Sequence, residues 1–414
     1  MDFSDTPEEA KFRAEARAWL EKNAPQKGDD SGPAPMSEER LDDDAIRAAK
    51  AWQKKKADGG WACITWPKEY GGRGGTTIQK VIWNQEEGKF RTPPEIFAIG
   101  LGMCGPTIMT HGTDEQKKKW IPKMVTGEEV WCQLFSEPAG GSDLAGLRMR
   151  AVRQGDDWIV NGQKIWTTGA QFCEWGIVVT RHDDTVDKYS GLTFFVVDMR
   201  SPGIEIRPIV QMNGGRGFNE VFFTDVRIPD SYRLGSIGEG WRVSLTTLMN
   251  ERAAIGGGGG ADSIRQLFRL ASQIKVNGRR AIDDPAVRQK LADFYVRAQG
   301  LKNTGNRTLS ALSQGKIPGP EASLGKLIGA RLAQEIGDFG IELAGMAGGV
   351  MESDFGPLGN LFQELYLGIP GLRIAGGSDE VLHNIIAERV LGLPPEMRAD
   401  KGIPFKEIPT GPKK

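Results

Sequence analysis

The spacing of apolar residues changes twice along this chain, which limits the possible folds more than any other feature of the sequence. Up to about residue 129 the spacing is helical. Thr6-Pro7-Glu8-Glu9 reads as a capping box with proline at the first helical position, and Phe12, Ala16, Trp19 and Leu20 then share one face. From about 130 to 238 the pattern is that of strands. "WGIVVTRH", "GLTFFVVDM" and "NEVFFTDVRIP" are apolar, β-branched or aromatic runs separated by turn residues, as in an antiparallel β domain. "DWIVNGQKIW" predicts a hairpin around Asn161-Gly162. After 239 the helical spacing returns. "DPAVRQKLADFYVRAQGL" places Val287, Leu291, Phe294 and Ala298 on one face, and "VLHNIIAERVLGLP" stops at a proline.

The expected organisation is therefore α+β and multi-domain. It comprises a helical domain (1–129), an antiparallel β domain (130–238), a second helical domain (239–395) and a Pro/Lys-rich tail (396–414). The absence of βαβ alternation argues against a dinucleotide-binding Rossmann domain. "QKGDDSGPAP" is expected to be a surface loop. The five glycines at 256–260 lack the G-x-x-x-x-G-K-[ST] pattern and follow no strand. Each costs a helix about 1 kcal/mol relative to alanine, so the run suits a helix weakened where another backbone or a ligand comes close.

Composition narrows the function. A chain of 414 residues can bury the cores of two or three domains. Its 53 basic and 54 acidic residues nearly cancel, which points away from nucleic acid or an anionic membrane as the main partner. The four cysteines, Cys63, Cys104, Cys132 and Cys173, have no C-x-x-C spacing, and three histidines are too few for a zinc cluster. Free thiols in a reducing compartment are expected. "MDFSDTPEEAKF" has no basic-then-apolar leader and no run reaches the roughly 20 apolar residues of a membrane span, so a soluble, cytoplasmic protein is expected.

The stretch "LFSEPAGGSDLAGL", 134–147, carries most of the chemistry. Small residues around Ser142 let backbone N–H groups and a hydroxyl approach a phosphate or a pantetheine chain. Taken alone, it is equally an ordinary glycine-rich turn. It occurs in order with "WPKEYGG" (66–72), "HGTDEQKKKWIPKMVTGE" (111–128), "VNGQKIWTTGA" (160–170) and "NIIAERVLGLP" (384–394). Together these motifs closely resemble the acyl-CoA dehydrogenase family over nearly the whole chain.

That resemblance implies an N-terminal helical domain, a middle β domain and a C-terminal four-helix bundle, assembled as a homotetramer. It also implies FAD between the β domain and the C-terminal helices, completed by a neighbouring subunit. Phe135 and Ser136 would lie against the flavin ring, with Trp166 and Thr168 on its other face. Gly141 and Ser142 would hold the pyrophosphate or the substrate's pantetheine. Ser378 and Glu380 match positions that touch the cofactor phosphates. Arg279 or Arg280 would reach a phosphate across the subunit boundary, and Gly345 would supply a backbone contact there. Arg252, Gly376 and Gly377 fall on the substrate side. Two departures stand out: EPAGGSD replaces the commoner EPGAGSD, and "NGRRAIDDP" replaces an Arg-Lys-x-Phe-Gly motif.

A third departure concerns the base. Many members carry a glutamate where this chain has Gly376, within "LRIAGGSDEVLHN". A minority resembling isovaleryl-CoA dehydrogenase place it on the first helix of the C-terminal domain, directly before an arginine. "TTLMNERAAIG" supplies Glu251 before Arg252 in that place. A second carboxylate at 376 would raise one pKa sharply and crowd the α-carbon. The competing interpretation is a solvent-facing Glu-Arg pair on an amphipathic helix. The resemblance implies FAD-dependent α,β-dehydrogenation of an acyl-CoA to a trans-2-enoyl-CoA, with electrons passed to an electron-transferring flavoprotein. The alternatives are an acyl-CoA oxidase or related flavin enzyme of the same fold, or a non-catalytic partner subunit of a mixed tetramer.

Overall fold

The computed structural model describes residues 5–27, 41–255, 260–276, 278–313, 319–351, 358–398 and 400–409. Most of the "QKGDDSGPAP" stretch and glycines 256–259 lie outside them.

The chain begins with α1 (Pro7–Asn23), α2 (Asp43–Asp58) and α3 (Thr77–Glu87). Thr6 and Glu9 cap α1 reciprocally: Glu9 N–H donates to Thr6 Oγ1 at 3.2 Å and Thr6 N–H donates to Glu9 Oε2 at 2.8 Å. Phe12, Ala16 and Leu20 are buried, and Trp19 leans on Trp52, Trp61 and Trp83 with ring centroids 5.6–6.1 Å apart. A single π-helical turn (Gly100–Cys104) runs into α4 (Gly105–His111), and α5 (Asp114–Thr126) completes the module.

The middle domain is a twisted sheet of β1 (Trp131–Leu134), β2 (Arg150–Gln154), β3 (Asp157–Thr168), β4 (Trp175–Arg181), β5 (Leu192–Asp198), β6 (Ile204–Pro208), β7 (Phe218–Pro229) and β8 (Arg233–Leu234). The order is β6-β7-β3-β2-β4-β5-β8, with β1 joined to β4. Most neighbours run antiparallel, while β1 and the end of β2 run parallel to β4.

The expected hairpin at Asn161-Gly162 does not form. Those residues lie inside the long strand β3, where the pairing with β7 shifts register between Val160 and Gly162. Asn161 is used laterally: its Nδ2 donates to Asp225 Oδ1 at 3.0 Å and its Oδ1 accepts from Asp225 N–H at 2.9 Å. Gly162, at φ 146°, passes so close to Met149 that an added Cβ would sit 2.9 Å from its Cα. The turn lies upstream instead, at Gly155-Asp156, where Gln154 pairs with Asp157.

The C-terminal part holds α6 (Gly240–Ile255), α7 (Gly260–Gln273), a short hairpin of β9 (Lys275–Val276) and β10 (Arg279–Arg280), α8 (Pro285–Ser313), α9 (Ser323–Ala344), α10 (Leu361–Leu372) and α11 (Asp379–Arg389). Ile264 and Leu267 of α7, Leu291, Phe294 and Ala298 of α8, Leu332 and Ile336 of α9 and Phe362 of α10 form one core. Val287 packs against it. Helix α6 lies elsewhere: its Val243 belongs to the core shared by the sheet and the N-terminal helices.

The stretch from 396 was expected to be a tail, yet residues 400–409 dock on the sheet domain. Phe405 is buried with the Arg181 guanidinium 3.4 Å from its ring centre. Its N–H donates to Val186 O at 2.8 Å, and Asp400 pairs with Lys188. All four cysteines are buried and free. Among the described residues no helix is long and apolar enough to cross a membrane.

The N-terminal module carries its own acid sensitivity. Glu86 is completely buried, which alone would push its carboxyl up, but hydrogen bonds from Arg17, Lys89 and Arg13 outweigh burial and hold it at about 2 instead of the ordinary 4.5. A carboxyl depressed in the folded state stabilises fully above its unfolded value, and the stabilisation is lost as pH falls through the folded value. The denaturation midpoint followed by tryptophan fluorescence should therefore drop between pH 4.5 and about 2, and Glu86→Gln should flatten that drop. An unchanged slope in the variant would contradict this assignment.

Candidate active site at the sheet–helix junction

The end of β1 is fastened to β3 from two sides. Lys164 has no exposed surface; its ammonium donates to Phe135 O at 3.0 Å and to Glu137 Oε1 at 2.9 Å. Burial pushes this lysine's pKa down, and Glu137 pulls it back towards the charged form. Glu137 in turn accepts from Arg148 N–H at 2.6 Å and Met149 N–H at 2.9 Å, which closes the glycine-rich loop on itself. Ile165 N–H donates to Ser136 O at 2.9 Å, so Ser136 meets β3 one residue before Trp166.

There β3 bulges, with a register shift between Lys164 and Thr167. Trp166 adopts φ 61°, a left-handed conformation rare for a bulky side chain and typical of strained functional positions. Its indole packs edge-on to Phe218 at 6.1 Å and remains 56% exposed. Thr168 pairs with Phe218 in the ladder. The hydroxyls of Ser136, Ser142 and Thr168 have no hydrogen-bond partner among the described residues. An uncovered indole face beside unengaged hydroxyls, at the end of a long paired strand, suits a flat, polar-edged aromatic ligand. A flavin ring is such a ligand, and the residues present fit it.

Helix α6 brings a carboxylate to the same place. Thr247 Oγ1 lies 2.9 Å from Thr107 Oγ1 and Thr246 Oγ1 lies 2.8 Å from His111 Nε2, which fixes α6 against α4. One turn on, Glu251 is half-buried, and its Oε2 accepts from Gln133 Nε2 at 3.1 Å. Gln133 is on β1, two residues before Phe135. Glu251 therefore faces the junction and not open water. The side chain of Arg252 lies outside the described residues.

The other expected residues occupy the outer parts of the fold. Gly140 and Gly141 do not use left-handed φ, so the Ala139-Gly140 order places no backbone strain in the loop. Arg280 is paired with Asp283 at 2.9 Å, whereas Arg279 is exposed and without an ion pair among the described residues. Gly345 is exposed at φ 60°. Ser378 caps α11, accepting from Val381 N–H at 3.4 Å, and Glu380 is exposed in its first turn. Gly376 has φ 66° and Gly377 φ 96°, with Lys326 donating to Gly377 O. A glutamate at 376 would carry roughly 1–2 kcal/mol of backbone strain in this conformation. Asp379 is clamped by Arg373 at 2.7 Å and Arg331 at 3.2 Å, which holds the loop to its own helices.

Gln133, Lys164 and Glu137 did not stand out in the sequence. A lysine inside an alternating strand and a glutamine in "WCQLF" were the available signals.

Three family models match in succession: the N-terminal domain of acyl-CoA dehydrogenase over 6–128, its middle domain over 132–226 and its C-terminal domain over 238–391. The acyl-CoA dehydrogenase IpdE1 of Mycolicibacterium smegmatis is 35% identical over 398 residues, covering 94% of this chain and 98% of that one. The solved Tcur3481-Tcur3483 steroid ACAD superposes with a TM-score of 0.79 at 26% identity, covering 96% of this chain and 100% of that one. The ChsE4-ChsE5 complex from Mycobacterium tuberculosis gives 0.78 at 28% identity, with the same coverage.

Lys164→Met should destabilise the protein by about 3–5 kcal/mol, because it leaves Glu137 buried without its cation. Chemical denaturation measures this, and a wild-type midpoint would show that the pair does not hold the loop.

Proposed function

The chain belongs to the acyl-CoA dehydrogenase family of FAD enzymes, and on that premise we propose that it dehydrogenates an acyl-CoA across its α and β carbons, with Glu251 as the base. The product is a trans-2-enoyl-CoA, and the electrons pass to an electron-transferring flavoprotein. The observation that carries this reading is the direction of Glu251, which turns inward to Gln133 beside Phe135 and Ser136.

An α-proton next to a thioester is weakly acidic, so a base must be held at it while the developing negative charge is stabilised. Glu251 removes that proton. A carboxylate stripped of water by the bound thioester becomes a stronger base, and α6 supplies a rigid mount for it. Phe135, Ser136, Trp166 and Thr168 would hold the flavin ring, and FAD bound there would supply the acceptor for the β-hydrogen and its electron pair. Ser142 and Gly141 steady the pantetheine or pyrophosphate. Ser378 and Glu380 lie on the phosphate side. Arg279, free where Arg280 is engaged, reaches a phosphate across a subunit boundary, with Gly345 beside that boundary. Gly376 and Gly377 leave room on the substrate side, and Arg252 flanks the base.

A second reading concerns assembly. The ChsE4-ChsE5 relative is a complex of two different chains, which favours a mixed oligomer over a homotetramer. In it the present chain, which carries Glu251, is the catalytic member. The mass of the FAD-containing species from the native host separates the two, since a homotetramer weighs four times this chain alone.

The catalytic claim is tested by mixing FAD-loaded protein anaerobically with thioesters of straight, branched and steroid-derived acids and following flavin bleaching. Glu251→Gln should retain FAD and slow bleaching by the preferred thioester about 10²–10⁴-fold. Bleaching at near wild-type rate would remove Glu251 from the mechanism.

A further inference from the structure

Gln133 is a polar residue in an otherwise apolar stretch, "WCQLF", on a strand whose neighbours are buried. β1 pairs with β4 in fixed register, Gln133 opposite Ile177, so the side chain's base is immobile. One end of its amide, Nε2, donates to Glu251 Oε2 at 3.1 Å. The other end, Oε1, is buried and has no hydrogen-bond partner among the described residues. A buried amide oxygen without a partner is uncommon in folded proteins and calls for an explanation.

The chemistry of Glu251 supplies one. Before reaction the carboxylate only accepts hydrogen bonds, and the amide NH2 of Gln133 can only donate, so the two match. After proton abstraction Glu251 carries an O–H and becomes a donor. The same amide, turned over, presents Oε1 to accept it. The primary amide offers both a donor and an acceptor in one plane, and in neither orientation does it place a second charge beside the base.

We propose that Gln133 is a positioning residue for Glu251, holding the base in line as a carboxylate and again as a carboxylic acid. This rests on the reading of Glu251 as the base. Gln133 acts through Glu251 and not on the thioester itself. The strand that carries it continues into Phe135 and Ser136, so one rigid element sets both the base and the wall opposite it. The substrate's α-carbon is thereby aligned from two sides by a single strand.

The test uses the FAD-loaded protein in the assembly in which it is isolated, with the thioester that bleaches it fastest. Gln133→Met keeps length and volume and removes both hydrogen-bonding ends. It should slow flavin reduction about 10- to 100-fold. FAD content and the dissociation constant of a non-reducible thioether analogue of the substrate should stay unchanged, and the isotope effect of α-deuteration should rise. In a Glu251→Gln background the same substitution should add nothing, because the group it positions is gone. Gln133→Glu provides the second arm: it preserves shape, places a like charge beside the base, and should also slow reduction with analogue binding retained.

Reduction within twofold of wild type in Gln133→Met, or losses that simply multiply with those of Glu251→Gln, would overturn the proposal. If Gln133→Met loses FAD, the Gln133→Glu arm decides, and wild-type reduction there overturns it equally. These failures differ from that of the parent reading. An active Glu251→Gln sinks both, whereas an inactive Glu251→Gln beside an active Gln133→Met sinks only this inference.

Discussion

Helix α6 is held away from the bundle that follows it, and the site depends on that placement. Two threonine contacts with α4, Thr247 to Thr107 and Thr246 to His111, fasten one side of the helix. Val243 fills an apolar seat beneath the sheet. Burial and then the neighbouring Arg242 lower the pKa of His111, which favours the neutral ring against Thr246. With α6 fastened there, half-buried Glu251 is directed to β1, where its carboxylate accepts from Gln133. On the proposed reading, the base on the helix wall serves a site in which the loop at 376 offers only glycine, with Gly376 and Gly377 both at positive φ.

The opposite wall depends on a charge buried in the sheet. Lys164 cannot reach water, so its ammonium must be satisfied internally, and Phe135 O and Glu137 do this. That bond draws the residues after β1 on to β3, and Glu137 then draws in the backbone at Arg148 and Met149. The strained Trp166 sits at the next irregularity along the same strand. Such strain persists only where the surroundings over-determine it, and here the ladder to β7 and the Ser136–Ile165 bond do so. The docked segment around Phe405 reinforces the far side of the same loop. Arg181, over which Phe405 lies, donates to Ala145 O and Leu147 O, and Lys188 joins Asp143 to Asp400.

Much of this could be read from the sequence, for local reasons. The capping box at Thr6, the buried face of α8 and the strands β4, β5 and β7 are encoded in spacing that a helix or strand imposes on itself. The ordered motifs carried the family. The failures were non-local. Asn161-Gly162 has the composition of a turn, but Asp225 on β7 captures Asn161 and converts the feature into a bulge. The stretch around Phe405 reads as a tail because its seat, Arg181, lies on a distant strand. Gln133 carries no motif at all, and only the arrival of α6 gives it a partner.

Proton removal can be separated from electron transfer, and that separation tests the account most directly. A thioester analogue with sulfur at the β position cannot be dehydrogenated but keeps an exchangeable α-proton. Incubated with the FAD-loaded protein in deuterated water, it should gain deuterium at the α-carbon, as read by mass spectrometry. Glu251→Gln should bind it with similar affinity and exchange nothing above the uncatalysed background. Exchange at the wild-type rate in that variant would show that another group takes the proton, and the role assigned here to the end of α6 would be wrong.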